Sequence, residues 1–333
     1  MKPPEPMEAL LAEILPEGPE WTYEPKWDGF RCLVAKQGKS ITLWSKSGKR
    51  LDRYFPDIVS LFEQAPPSAF LIDGELLIEQ GGRIAFDALQ LRLHPATSRV
   101  AKLAAATPAM FMAFDCLASG GHDLAGQPLA ERRAALETLF RTFDHDRLKL
   151  SPSTRDRDRA LGWLERTGGA LDGVIAKRVD QPYAFGERTM VKVKATRTAD
   201  CVVGGFRYAA KGEEVGSLLL GLYDDDGKLD HVGFTSALKG EDKPALTKRL
   251  EKLAGGSGFT GKAPGGPSRW STERSADWVP LKPELVVEVR YDQVTGGRFR
   301  HGTALVRWRP DKAPRQCTRQ QLAPPLTPRN SPH

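Results

Sequence analysis

Apolar and polar positions divide the chain into short elements of mixed type. Residues 6–15 read as a short opening helix. FRCLVAK (30–36) and ITLWSK (41–46) predict two strands joined by a polar, glycine-containing turn. AFLIDGELLIE (69–79) predicts a second hairpin-like pair, with Asp73-Gly74 at its turn. AMFMAFDCL (109–117) is an apolar run of a length that fits a buried strand. ERRAALETLF (131–140) and RDRALGWLERT (157–167) carry helical periodicity. DGVIAKR (172–178) and TMVKVKA (189–195) predict two more strands. The style changes after Thr196-Arg197-Thr198-Ala199. Strands follow over 200–235 with a hairpin at Asp224–Lys228, then one helix (243–254), a Gly/Pro/Ser-rich stretch (255–268), and strands at 284–294 and 303–310. Short strands, one helix and a basic face suit a small β-barrel of the OB type. The tail after Arg315 is rich in Gln, Pro and Ser and is expected to fray.

At about 150 residues per domain, 333 residues make two domains. With 40% hydrophobic and 27% charged residues, the composition excludes a disordered chain and a small disulfide scaffold. No apolar run approaches the roughly 20 residues of a membrane helix. The N-terminal segment does not read as a signal peptide, so secretion is not expected. The net charge is +7, and from Arg290 onward nine basic residues face only two acidic ones. A basic end on a folded chain fits a polyanion partner, and equally a solubility feature. Cys32, Cys116, Cys201 and Cys317 are scattered without a C-x-x-C pair, which argues against structural zinc and for a reducing compartment.

Two nucleotide-binding patterns fail on context. GSGFTG (256–261) matches G-x-G-x-x-G, and Gly256 with Gly261-Lys262 nearly matches a P-loop. A helix precedes the stretch where a strand is required, and Ala263 stands where a magnesium-binding Ser or Thr belongs. A flexible loop is the better reading. The six histidines show no metal-ligand spacing, and His231 and His301 read as structural or surface residues.

The chemistry lies in Glu24-Pro25-Lys26-Trp27-Asp28-Gly29-Phe30-Arg31, where a lysine precedes an Asp-Gly turn into a strand. Alone, K-x-D-G is only a surface turn. Four further segments change that reading: Asp73-Gly74-Glu75, Phe114-Asp115, Asp172-Gly173-Val174-Ile175-Ala176-Lys177, and Val191-Lys192-Val193-Lys194. In the last, alternation aims both lysines to one side of a strand, with valines on the buried side. Two ammonium groups so placed suit a phosphate.

In this order the segments resemble the covalent nucleotidyltransferases, and the chain resembles an ATP-dependent polynucleotide ligase over nearly its whole length. Lys26–Arg31 resembles motif I, Ser45-Lys46-Ser47-Gly48 motif Ia, and Asp73–Glu75 motif III. Phe114–Leu117 resembles motif IIIa, Asp172–Lys177 motif IV, Val191–Lys194 motif V, and Arg309-Pro310-Asp311-Lys312 motif VI. The segments Arg298–Gly302 and Arg307–Cys317 are similar to the bacterial stand-alone ligase C group.

The resemblance implies an α+β fold: a nucleotidyltransferase (adenylation, ATP-grasp-like) domain over 1–196, a hinge at 197–199, an OB-fold β-barrel over 200–320, and a flexible tail over 321–333. It implies ATP as cofactor, with AMP carried covalently on Lys26, together with Mg²⁺ or Mn²⁺ held by Glu75 and Asp172. Glu24, Arg31, Glu75, Phe114, Lys177, Lys192 and Lys194 would bind the nucleotide, Phe114 by stacking on adenine. Lys192 and Lys194 would hold the α-phosphate, and Asp311 and Lys312 would act on the pyrophosphate. Arg31, Lys46, Arg298, Arg300, Arg307 and Arg309 would contact DNA. A free lysine has a pKa of about 10.4, so neighbouring cations are needed to favour a neutral nucleophile. Two positions depart from the family pattern: Lys46 replaces a common Arg, losing bidentate phosphate binding, and Asp172 replaces a common Glu.

The expected function is nick sealing in duplex DNA, in repair, by a monomer of the bacterial cytoplasm and nucleoid. No membrane partner is expected, and protein partners are unidentified. An RNA ligase, a GTP-using capping enzyme and a non-catalytic nucleic-acid-binding protein are the alternatives.

Overall fold

The computed structural model describes residues 4–66, 68–143, 145–165, 171–194, 197–265, 277–300 and 302–322. The chain divides into two compact units, with the break between Ala195 and Thr196.

The first unit opens with β1 (Glu8–Ala12), β2 (Trp21–Trp27), β3 (Phe30–Gln37), β4 (Ser40–Ser45) and α1 (Pro56–Gln64). Next come β5 (Ala69–Gln80), β6 (Arg83–Ile84), α2 (Phe86–Arg92), α3 (Thr97–Ala106), β7 (Ala109–Ser119) and β8 (His122–Asp123). It ends with α4 (Leu129–Phe140), β9 (Leu148–Leu150), α5 (Arg157–Glu165), β10 (Leu171–Arg178) and β11 (Arg188–Val193). The strands form two sheets. One has the order β1-β11-β10-β2; the other runs β4-β3-β5-β7-β8, with β6 on β5 and β9 on β7.

Strand periodicity explains the layers. In β3, Cys32 and Val34 enter a core shared with Phe55, Ile58 and Phe62 from the α1 region, while Leu33 and Ala35 face the opposite way. There they meet Met7, Trp44, Leu117 and Met190, a cluster that joins the two sheets. Burial on both faces is why 30–36 reads as a nearly continuous apolar run. The outer face of the smaller sheet packs Tyr23, Val174, Ala176 and Val193 against Ala160 and Trp163 of α5.

Two expectations change here. Residues 6–15 hold a strand where a helix was expected: β1 pairs in parallel with β11, Leu10 opposite Val191 and Ala12 opposite Val193. Long-range pairing overrides the local helix propensity of Glu, Ala and Leu. Residues 69–79 are one continuous strand, β5, rather than a hairpin. Gly74 makes no turn; a Cβ there would lie 2.3 Å from the Phe111 ring, so glycine lets that ring pack across the strand. Helices α1, α2 and α3 were not anticipated.

The second unit contains β12 (Arg197–Tyr208), β13 (Val215–Tyr223), β14 (Leu229–Ala237), α6 (Lys243–Glu251) and β15 (Val279–Pro280). After them come β16 (Val286–Tyr291), β17 (Val294–Thr295), β18 (Arg298–Phe299) and β19 (Thr303–Trp308). The order β13-β14-β19-β16-β12, with a further pairing of β13 to β12, closes a five-stranded barrel. Its core includes Val202, Phe206, Leu218, Leu220, Val287 and Val289. The hairpin at 224–228 is present, with the Asp224 amide bonded to the Lys228 carbonyl. Phe259, inside the stretch that mimics a P-loop, is buried in this core, which makes the stretch a packed connection.

Arg197, Thr198 and Ala199, expected as a hinge, are ladder residues of β12 opposite Tyr291, Arg290 and Val289. Residues 195 and 196 lie outside the described residues. The expected fraying after Arg315 does not begin there. Cys317 and Leu322 are buried in the barrel core, and the Gln321 side chain bonds both backbone groups of Asp200. Residues 323–333, and His301, lie outside the described residues. All four cysteines are buried and unpaired; burial pushes the Cys116 thiol up to about 12 and the Cys317 thiol to about 11.

His231 is structural, as expected, and it makes the barrel acid-sensitive. Arg298 Nη2 lies 2.9 Å from His231 Nδ1. A guanidinium can only donate, so Nδ1 presents its lone pair and the ring is neutral. Burial, and then the Arg298 and Arg207 cations, hold its pKa down at about 3, against about 6.5 for the unfolded chain. Between those values the unfolded state binds a proton that the folded state refuses, so stability is present above about pH 6.5 and is lost as pH falls. The expected loss between pH 7 and pH 4 is about 3 kcal/mol, absent in His231→Gln. Urea midpoints across that range test it; a wild-type-minus-variant difference that does not change with pH would count against it.

Candidate active site

A cavity of about 960 Å³ in the first unit is lined by residues of β2, β3, β5, β7, β10 and β11. Alternation aims the lining side chains. Glu24 and Lys26 on β2, Ile175 and Lys177 on β10, and Met190 and Lys192 on β11 line it, while Tyr23, Val174, Ala176, Val191 and Val193 lie in or against the opposite core.

Two residues reach the site through bulges. Leu171 pairs with Trp27 and Gly173 with Lys26, leaving Asp172 as an extra residue. Gly173 has φ +144°, and a Cβ there would lie 2.2 Å from the Val193 carbonyl oxygen. Only glycine permits this bend. On the facing sheet, Asp73 pairs with Asp115 and Gly74 with Ala113, so Phe114 is likewise the extra residue, and it lines the cavity.

Lys26, 25% exposed, sits with Nζ 2.5 Å from Asp172 Oδ2; Lys194 Nζ lies 3.2 Å from the same oxygen. Asp172 is thus the counter-ion of two lysines. Lys192 is held below the ordinary lysine range by partial burial, and then by the Lys26 and Lys194 cations. The site therefore concentrates positive charge, with Asp172 between the Lys26 and Lys194 ammonium groups.

Glu24 and Lys177 form a buried ion pair at 2.8 Å, each side chain only 4% exposed. Burial pushes the Glu24 carboxyl up, and the Lys177 cation pulls against it. Lys177 Nζ also lies 4.7 Å from the centroid of the Phe114 ring, and Arg31 approaches the same ring at 5.5 Å. Arg31 is gripped by Asp73, Nε to Oδ1 at 3.1 Å and Nη2 to Oδ2 at 2.6 Å. Lys46 lines the cavity on an exposed loop and pairs with Glu8 at 2.9 Å.

Glu75 lines the cavity, and burial pushes its carboxyl up to about 8 against the pull of Lys26 and Arg31. Among the described residues no group of three or more His, Cys, Asp or Glu side chains could hold a metal. This donor set fits a cation bound by one or two carboxylates with phosphate and water completing its shell, as Mg²⁺ is commonly held.

The second unit holds the remaining expected residues. Asp311 pairs with Arg309, and Arg309 and Lys312 both bond Asp200, at 2.8 and 2.9 Å. Arg307 pairs with Glu288 at 2.6 Å. Arg298 is exposed and half-buried Arg300 follows it, on and just after β18. Asp73, Tyr183, Ile175, Met190, Glu8 and Ala9 were not singled out from the sequence. Asp73 stood within a recognised segment; Tyr183 carried no local signal.

Two sheets enclosing a lysine-lined cavity, followed by a closed five-stranded barrel, define a nucleotidyltransferase joined to an OB-fold. The profile described as ATP dependent DNA ligase domain matches residues 5–194, and that described as ATP dependent DNA ligase C terminal region matches 211–312. DNA ligase C2 of Mycolicibacterium smegmatis is 44% identical over 341 residues, covering 98% of this chain and 96% of that protein. DNA ligase C of Mycobacterium tuberculosis is 42% identical over 344 residues, covering 98% and 96%. A solved structure described as mycobacterial DNA ligase D complexed with ATP and MES is 28% identical, with a TM-score of 0.51, covering 95% of this chain and 98% of that one. The chain belongs to the ATP-dependent DNA ligases. Among the described residues no helix is long and apolar enough to cross a membrane.

Proposed function

We propose that this chain seals 3′-hydroxyl/5′-phosphate nicks in duplex DNA through a lysyl-AMP intermediate on Lys26. The observation that carries the reading is the placement of Lys26 in the cavity beside Lys192 and Lys194, with Asp172 Oδ2 2.5 Å from its Nζ.

An ammonium has no lone pair, so the attacking form is the neutral amine; Asp172 is the carboxylate within reach of its proton. Lys26 Nζ forms a bond to the α-phosphorus, and the bond to the pyrophosphate oxygen breaks. The nick 5′-phosphate oxygen then attacks the same phosphorus and returns the amine. Last, the 3′-hydroxyl attacks the adenylated 5′-phosphate and AMP leaves. Each step is an in-line displacement, so positioning and charge neutralisation carry it.

Lys192 and Lys194 hold the α-phosphate in this scheme, and Arg31 meets a nucleotide or nick phosphate. Phe114 stacks on adenine, with the Glu24–Lys177 pair supporting that end of the cavity. A divalent cation, Mg²⁺ or Mn²⁺, would sit against Glu75 and Asp172 and neutralise phosphate charge. Arg298, Arg300, Arg307 and Arg309 of the second unit, with Lys46, meet the DNA backbone. Repair in the bacterial cytoplasm, by a monomer, is the setting we propose. In its support, a 30% identical relative in Pseudomonas aeruginosa is described as a multifunctional non-homologous end joining protein; this chain matches 37% of its length.

Intact mass after incubation with Mg²⁺ and ATP, or with GTP, tests the reading. An AMP adduct from ATP alone, discharged by nicked duplex DNA with sealing, is expected. A GMP adduct would redirect the assignment to capping chemistry, and discharge only by nicked RNA to an RNA ligase. No adduct in any form would leave a binding protein.

A further inference from the structure

Tyr183 lies between β10 and β11, outside every segment that marked the family. Its side chain is buried, with 4% of the residue exposed. The hydroxyl lies 2.6 Å from Asp73 Oδ2, 3.0 Å from the Met7 amide nitrogen and 3.3 Å from Arg31 Nη2. A phenol has one proton and two lone pairs. The Met7 amide and the Arg31 guanidinium can only donate, so they take the lone pairs and the phenolic proton points at Asp73. Asp73 is completely buried, and its two oxygens grip Arg31 at Nε and Nη2. Every bond of this cluster thus converges on the orientation of one guanidinium at the cavity wall.

We propose that Tyr183 is a positioning residue for lysine adenylylation, fixing the plane of the Arg31 guanidinium through Asp73. The proposal rests on the reading of Arg31 as a phosphate-contacting group. Without the phenol, Asp73 Oδ2 loses a donor and Arg31 an acceptor, and the guanidinium gains freedom to swing about its stem. A planar, two-point donor loses more from such freedom than a point charge does. Burial also pushes the Tyr183 phenol well up, so it keeps its proton across the working pH range. The ring has its own supports: the Tyr183 amide bonds the Ala125 carbonyl, Phe185 packs edge-on at 4.9 Å, and Arg132 lies over the ring at 5.7 Å. Tyr183→Phe therefore keeps the ring in place and removes only the hydroxyl.

The test is a double-mutant cycle on the full chain, reading kcat/KM for self-adenylylation with ATP. Tyr183→Phe is expected to lower it about tenfold in the wild-type background. In an Arg31→Lys background, where the fork is already gone, the same change is expected to cost nothing further. Asp73→Asn breaks the same chain one link closer and is expected to show the same silence. Equal losses in both backgrounds, with Arg31→Lys itself impaired, would mean a merely structural tyrosine and overturn the proposal. So would a Tyr183→Phe protein with the wild-type rate. An Arg31→Lys protein with the wild-type rate would instead overturn the reading of Arg31, and this proposal with it.

Discussion

Lys26→Ala is expected to abolish the AMP adduct, lowering the rate of self-adenylylation by at least about 10⁴-fold. Lys26→Arg should be equally inactive, because a guanidinium stays protonated and offers no lone pair. The cavity contains other amines, so the outcome is informative. Lys177 is buried against Glu24, Lys194 shares Asp172, and Lys192 lines the same wall. An adduct that persists in Lys26→Ala, mapped to Lys192 or Lys194, would displace Lys26 as the nucleophile. The last chemical step makes no bond to Nζ. A nick supplied already adenylated should therefore still be sealed by Lys26→Ala, at a rate reduced only by the lost positive charge. Loss of both activities together would point to a collapsed cavity, which thermal unfolding would reveal.

Lys177→Met is expected to have the largest effect on stability. It leaves the Glu24 carboxylate buried without its partner, a cost of about 3–5 kcal/mol, and lowers the unfolding midpoint of the first unit by roughly 10 °C. Glu24 answers by taking a proton, which limits the loss. Combining Lys177→Met with Glu24→Gln removes the stranded charge and should restore most of the stability. It should not restore adenylylation, because the cation beneath the Phe114 ring is still missing. Midpoints of the two single variants and the double, beside their adduct yields, separate the two effects. Recovery of both in the double variant would show that the pair only supports the fold.

Lys192 and Lys194 were legible because they alternate, at a period of two, with valines behind them. The strand β2, which carries Glu24 and Lys26, was not predicted, and these two residues were reached through the Lys-Trp-Asp-Gly segment and the resemblance. Asp172 and Phe114 break that period, since each is the extra residue of a bulge. They were reached through resemblance rather than through pattern. The opening segment was misread because an edge strand paired in parallel takes its structure from β11, some 180 residues away, and not from its own sequence. Asp73-Gly74 looked like a turn because glycine after aspartate usually signals one; here the glycine accommodates the Phe111 ring. Tyr183 was invisible for a related reason. Its partners, Met7, Arg31 and Asp73, come from three distant segments that only the folded chain brings together.

The pairing of β1 with β11 also sets a timetable for the chain as it is made. Glu8 and Ala9, which form part of the cavity wall, are made well before β11, and their strand has no partner until residue 193 has emerged. Closing so long a loop comes late and slowly, since little enthalpy is gained before the ends meet. During synthesis the larger sheet can assemble from β3, β4, β5 and β7, which are near neighbours in sequence, while β1 waits as an unpaired ribbon. The nascent enzyme thus acquires a complete nucleotide site only when its first domain is wholly synthesised. A half-made chain holds no finished pocket in which to trap ATP.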